Sequence, residues 1–186
     1  MTDLVTASEA TPVDLDPTRE QRFIQRLAAG HRSGALGPLH QWHPGQIDTR
    51  VFAFTQDASR EEFVPWALAG KAFALFHAGR RDVRYGFSGT GIGGWARRAD
   101  ASPQARERLV SALTRAQAPI EVDRQLTALA RMNAGGSRFS PHWETVLGEL
   151  VGWTDPAGRD DVRFTWARDF NTYTSADTTN GAAGTK

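Results

Sequence analysis

Cysteine is absent from this chain and lysine almost so. Without a thiol there is no disulfide scaffold, no cysteine nucleophile and no zinc ribbon, so a metal site would have to be built from histidine and carboxylate. Long apolar runs are missing too. No stretch approaches the roughly 20 apolar residues of a membrane-spanning helix, and the first residues are polar and acidic, unlike a signal peptide or an arginine-rich transit sequence. A cytoplasmic location without membrane attachment is expected. What lysine lacks, arginine supplies. Lys71 and Lys186 are the only lysines among 22 basic residues, which leaves 20 arginines. Arginine presents a planar fork of donors that grips phosphate oxygens in pairs, where lysine is a mobile, strongly hydrated point charge. The bias points to phosphate.

With 186 residues and 40% hydrophobic content, the chain can build one domain, or a domain and a small subdomain, around a real core. The formal net charge of +1 conceals an asymmetry. Residues 1–17 hold Asp3, Glu9, Asp14 and Asp16 and no base, and residues 174–186 are rich in Thr, Gly and Ala. Both ends are expected to be disordered. Between them, residues 18–173 carry 21 basic and 16 acidic side chains, a net +5 on the part that folds.

Apolar periodicity across that part reads as helices throughout. Asp16 or Thr18 caps a first helix to about Ala29, with Phe23, Ile24 and Leu27 as its stripe and Gly30 as its stop. Residues 31–57 read as loop, with the alternating Arg50–Thr55 segment a candidate strand or extended arm. Ser59 and Glu62 form a capping box before a long helix to about Ala78 that Gly79 ends. Ser102 with Pro103 opens the next helix, Pro119 another that Ala134–Gly136 closes, and Ser140 with Pro141 a third. A final helix places Val162, Trp166 and Phe170 inward. The expectation is an all-α protein, a two-part helical bundle with an N-terminal part over 18–90 and a C-terminal part over 91–173.

At about 100° per residue the arginines fall into lines. Arg108 and Arg115 are seven apart and turned away from Leu109, Val110 and Leu113; Arg124 and Arg131 repeat the spacing opposite Val122, Leu126 and Leu129. Arg97, Arg98, Arg159 and Arg163 add to the set, and Arg80 and Arg81 flank a glycine-rich stretch. Such lines also occur on ordinary solvated helix faces. Here Arg108, Arg115 and Arg131 have no acidic residue three or four positions away to pair with. Arg163 lies within the apolar arc of its helix and is a candidate for partial burial.

Gly89–Gly94 satisfies G-x-G-x-x-G but lacks a buried strand before it and an acid about 20 residues on, as a dinucleotide site requires. It reads as a flexible glycine loop that could lie against phosphates. His40 and His43 are the only close histidine pair and have no third ligand nearby in sequence. No nucleophile–base pair or positioned carboxylates can be assembled, so no catalytic residue, metal or cofactor is expected.

The order Thr90-Gly91-Ile92, Trp95–Arg98, Leu113–Gln117, a glycine-rich break, Ser140–Trp143, Gly152–Pro156 and Trp166–Phe170 resembles the CasB family. These are the small subunits of the type I-E CRISPR Cascade complex. The resemblance spans about 18–173 and is clearest over 88–171. It implies a wholly helical, non-catalytic protein in two parts, present as two stacked copies beside the backbone and large subunits. It also implies that basic residues contact crRNA-paired target DNA and the displaced strand, stabilising the R-loop in antiviral defence. Carried over by position, Arg115 in the Leu-x-Arg-Ala segment is the firmest match, followed by Arg108, Lys71, Arg159 and Arg163, while the register of Arg124 and Arg131 is less secure.

Two function classes stand side by side. One is the nucleic-acid-binding Cascade subunit, in which guide pairing selects sequence and arginines hold backbones. The other is a helical interaction subunit whose arginines meet acidic protein partners.

Overall fold

Thr18 opens the first helix through a reciprocal capping box: its hydroxyl accepts from the Gln21 N–H, and the Gln21 side chain accepts from the Thr18 N–H. In the computed structural model, which describes residues 16–86, 88–132 and 139–172, that helix is α1 (Arg19–Ser33). It does not stop at Gly30. It runs to Gly34, which adopts the left-handed conformation at φ 74°. Gly30 is needed for clearance instead, because a Cβ there would lie 2.7 Å from the Phe54 ring and 2.9 Å from Leu36.

The segment expected to be loop is partly helical: α2 (Gly37–Gln41) and α3 (Thr49–Thr55) both lie in it. Arg50–Thr55 is therefore neither strand nor arm. The Asp48 carboxylate accepts from the Arg50 N–H and caps α3, and Val51 and Thr55, four apart, are its buried positions. Alternating apolar letters over six residues fit one helical face as well as one strand face.

Ser59 and Glu62 bond reciprocally, the Ser59 N–H donating to Glu62 (3.0 Å) and the Glu62 N–H to Ser59 (3.3 Å), but across the turn before the helix: α4 (Phe63–His77) starts after Glu62, which sits at its N-cap without a side-chain cap bond. Every residue of α4 from Pro65 to His77 is buried. A helix apolar on all sides belongs at the centre of a bundle, and α4 packs against α1, α2, α3, α7 and α8.

Five further helices complete the described chain: α5 (Ile92–Arg97), α6 (Pro103–Arg115), α7 (Pro119–Met132), α8 (Trp143–Thr154) and α9 (Arg159–Asn171). Ser102 caps α6 through the Ala105 N–H, as its sequence indicates. At α8 the device differs: His142 is the cap, accepting from the Thr145 N–H, while the Ser140 hydroxyl donates to the Arg84 carbonyl. No strand occurs among the described residues. The all-α reading holds. All six tryptophans are at most 2% exposed, and Phe76, Trp95 and Trp143 from α4, α5 and α8 form a triangle of near-perpendicular rings 5.5–5.8 Å apart. Of the two ends expected to be disordered, 1–17 and 174–186, all but residues 16 and 17 lie outside the described residues, as does the helix stop at Ala134–Gly136.

Candidate nucleic-acid interface

Helices α6 and α7 are joined by a tight connection that puts the end of one beside the start of the other. Arg115 and Arg124 consequently border a common depression of about 290 Å³, together with Glu121 and Gln125. Arg108, Arg115, Arg124 and Arg131 are all exposed. Arg115 donates through Nε to the Ser111 carbonyl of its own helix (3.0 Å), which orients the guanidinium without neutralising it. Glu121 is occupied elsewhere: the Gln117 and Ala118 N–H groups donate to it at 2.6 and 3.1 Å and hold its carboxyl below the usual range, with the charge of Arg124 adding to them. Among the described residues none of these four arginines has a carboxylate within ion-pair distance.

Four of the six arginines that precede α4 contrast with these, while Arg32 and Arg60 are exposed and, like the α6–α7 set, carry no ion pair among the described residues. Arg19 clasps Glu62 at 2.6 Å, Arg22 and Arg26 converge on Asp57, and Arg50 closes on Asp48. Their charge is spent within the fold.

Arg124 also borders a second depression, a cleft of about 420 Å³ between α2, α4 and α7 that reaches Arg131 and His43. Lys71 lies at its floor, 4% exposed. Its ammonium donates to Asp123 Oδ2 at 2.8 Å and sits 3.3 Å from His43 Nδ1. Asp123, also 4% exposed, is the one buried acid of α7. The pair bridges 52 residues of sequence, so neither member announces the other, and α7 reads as a simple amphipathic helix with a stray acid on its inner side.

A further basic surface gathers around α5 and α9. Arg97 and Arg98 border one depression with Arg106 and Phe170, and another with Gly91 and Arg168. Arg106 donates to the Arg97 carbonyl, Arg98 lies 4.6 Å from the Phe139 ring, and Arg168 pairs with Asp169. Arg106 and Arg168 are additions to the sequence-derived set. Neither lies on a seven-residue line, although Arg168 is part of the Trp166–Phe170 motif.

The glycine motif beside this surface is packed rather than open. A Cβ on Gly91 would sit 1.8 Å from a Glu149 oxygen, and one on Gly93 2.3 Å from the Trp166 carbonyl. Gly89–Gly94 thus serves close helix approach, with α5 beginning at Ile92 as expected. Glu149 Oε2 accepts from the Ile92 N–H at 2.8 Å and from Trp166 Nε1 at 3.0 Å, tying α8 to α5 and α9. Burial is the main cause that pushes its carboxyl up to about 7.

The remaining candidates are held by the protein to different degrees. Arg80 donates to the Phe76 carbonyl (2.9 Å) and stacks on the Phe76 ring, and burial lowers its pKa. Arg81 is exposed. Arg159 donates to the Trp153 carbonyl and lies over the Trp153 ring. Arg163 is half-buried as its helical angle implies, joining Asp160 to the Ala116 carbonyl at the end of α6.

The family model of the CRISPR-associated protein Cse2 matches residues 26–170, which run from α1 to α9. The chain belongs to the Cse2 family. The CasB resemblance read from the sequence is thereby upheld. Among solved structures, this Cse2 chain is similar to the crystal structure of CasB from Thermobifida fusca, with 19% identity over 82% of this chain and 95% of that one and a TM-score of 0.61. Identity that low speaks for the fold. No curated protein matches the chain. No helix among the described residues is long and apolar enough to cross a membrane, and among those residues no group of three or more potential ligands is placed to hold a metal ion.

Proposed function

We propose that this protein is a non-catalytic small subunit of a type I-E CRISPR Cascade complex, and that Arg108, Arg115, Arg124 and Arg131 hold nucleic-acid backbones along the α6–α7 edge. Membership of the Cse2 family supports the Cascade assignment. The observation that carries the nucleic-acid reading is the contrast in arginine partners: carboxylates neutralise Arg19, Arg22, Arg26 and Arg50, whereas the α6–α7 arginines carry none among the described residues. An array of unneutralised forks on rigid helices suits phosphates and carries no base preference.

In this reading Arg97 and Arg98 form a second, subsidiary contact surface, and Arg80 and Arg81 are further contacts. Arg159 and Arg163 act chiefly by holding the fold, and Lys71 pairs with Asp123 in the cleft beside Arg124. The backbones are those of the crRNA-paired target and the displaced strand, whose separation in the R-loop is stabilised. The partners are the backbone and large Cascade subunits and a second copy of this chain, in the cytoplasm.

Binding to single-stranded DNA and to duplex RNA, measured across a salt series, tests the reading. Each phosphate contact on a single strand contributes about 0.7 to the slope of log affinity against log salt. The Arg115→Glu/Arg124→Glu variant is expected to lose most of its affinity and to flatten that slope by about 1.4, two contacts' worth. Binding that is insensitive to salt, or a slope unchanged in the variant, overturns it. If the variant instead keeps its nucleic-acid affinity but no longer assembles with acidic protein partners, the interaction-subunit reading replaces it.

A further inference from the structure

We propose that the cleft between α2, α4 and α7 receives an unpaired base from the polynucleotide on the neighbouring arginines, with Lys71 and Asp123 serving its hydrogen-bonding edge. The inference rests on the nucleic-acid reading above and names a specific contact within it.

A buried ion pair is a poor stabiliser, since apolar residues of the same volume commonly do as well or better. This pair, moreover, is not sealed in. It lies at the floor of an open cleft of about 420 Å³, within the size range of small-molecule sites. An ammonium has three N–H donors. Lys71 directs one to Asp123 and one toward His43. Asp123 makes both of its contacts through Oδ2, so Oδ1 carries no hydrogen bond among the described residues. One donor and one acceptor therefore remain side by side.

The pairing edge of every nucleobase places a donor next to an acceptor, so such a site takes a base without selecting which one. The walls suit the base faces: Leu75 is apolar and nearly buried, and Ile120 at the mouth is 38% exposed. Arg124 faces both this cleft and the depression shared with Arg115. A strand held by its phosphates along α7 would thus have a base within reach of the cleft. His43, whose side chain is 56% exposed, stands beside the pair as an acceptor for Lys71 when its Nδ1 is unprotonated.

The test compares the full chain binding a single-stranded DNA with the same chain binding an equally long strand of abasic sugar-phosphate units. Base contacts of this kind are worth severalfold to a hundredfold in affinity. The protein is expected to prefer the base-bearing strand by about fivefold or more. Lys71→Met/Asp123→Leu, which fills the same volume without charge, is expected to lose that preference while keeping a steep salt dependence. Ile120→Ala leaves the buried pair in place and is expected to reduce the preference, so it carries the test if the double variant fails to fold. Equal affinity for the two strands with an intact salt slope overturns the base site alone, as does a preference that survives both variants. Absence of salt-dependent binding to either strand overturns the nucleic-acid reading, and the base site with it.

Discussion

Glu149 and His77 are buried titratable groups with opposite demands on pH. Glu149 is pushed from 4.5 to about 7, burial being the largest cause. His77 is fully buried and is pushed from 6.5 down to about 4, again chiefly by burial, with its Nδ1 donating to the Phe73 carbonyl and its Nε2 accepting from the Arg84 N–H. Between pH 4.5 and 7 the folded state binds the Glu149 proton more tightly than the unfolded chain does, so this group's contribution is lost as pH rises through 7. His77 works the other way: its contribution is full above 6.5 and is lost as pH falls toward 4. From 4.5 to 6.5 the two nearly cancel. Asp57 and Glu62, held down by Arg26 and Arg19, titrate below this range. His40, also lowered by burial, adds a rise toward 6.5, so thermal melts across pH are expected to rise gently over that span and to fall slightly toward pH 7. Glu149→Gln, which retains an acceptor for Ile92 and Trp166, should melt several degrees higher than the parent at pH 8, and its stability should climb with pH up to 6.5. A variant with the parent's pH profile would mean that Glu149 does not titrate as described.

Among the elements, α1 and α5 each bury a glycine at a close approach, with different consequences. At Gly93 the obstacle to a Cβ is the Trp166 backbone carbonyl of α9 at 2.3 Å, which moves only with its helix. At Gly30 it is the end of the Phe54 ring at 2.7 Å, which can turn. Gly93→Ala is expected to cost about 1–3 kcal/mol or more through overpacking. For Gly30→Ala the loss is offset by the roughly 1 kcal/mol of helix propensity that alanine gains. Urea midpoints compare the two, and equal costs would contradict this ranking. The same residues illustrate what sequence reading could reach. The caps at Thr18 and Ser102, and the Ser59–Glu62 pair before α4, were legible because the partners are three residues apart. Gly30 looked like a stop because its role is set by Phe54, 24 positions away along the chain. The helical state of 49–55 was missed because six residues hold too little periodicity to separate a helix face from a strand face.

For the molecule as a whole, the Lys71–Asp123 pair fastens the central helix to α7. Lys71→Ala leaves Asp123 buried beside His43 alone and is expected to destabilise the fold by about 3–5 kcal/mol, whereas Lys71→Met/Asp123→Leu should cost little. Denaturant unfolding distinguishes them, and a mild effect of Lys71→Ala would remove the pair from the architecture. The gathering of arginines is likewise a whole-molecule property. Arg115 and Arg124 share one depression because α6 and α7 pack side by side, and Arg124 and Arg131 border another because α7 packs on α4.

Composition and local pattern by themselves determined the helical class, most helix starts, the arginine excess and the outward lines at Arg108, Arg115, Arg124 and Arg131, since each depends on residues within a turn or two of one another. The order of motifs was enough to indicate the family. Only tertiary packing decided which charges are neutralised: Arg19 meets Glu62, Arg26 meets Asp57 and Lys71 meets Asp123 across 43, 31 and 52 positions. Coulomb attraction acts over a few ångströms in space whatever the separation along the chain, so the side chains left unneutralised become apparent only once the helices are brought together.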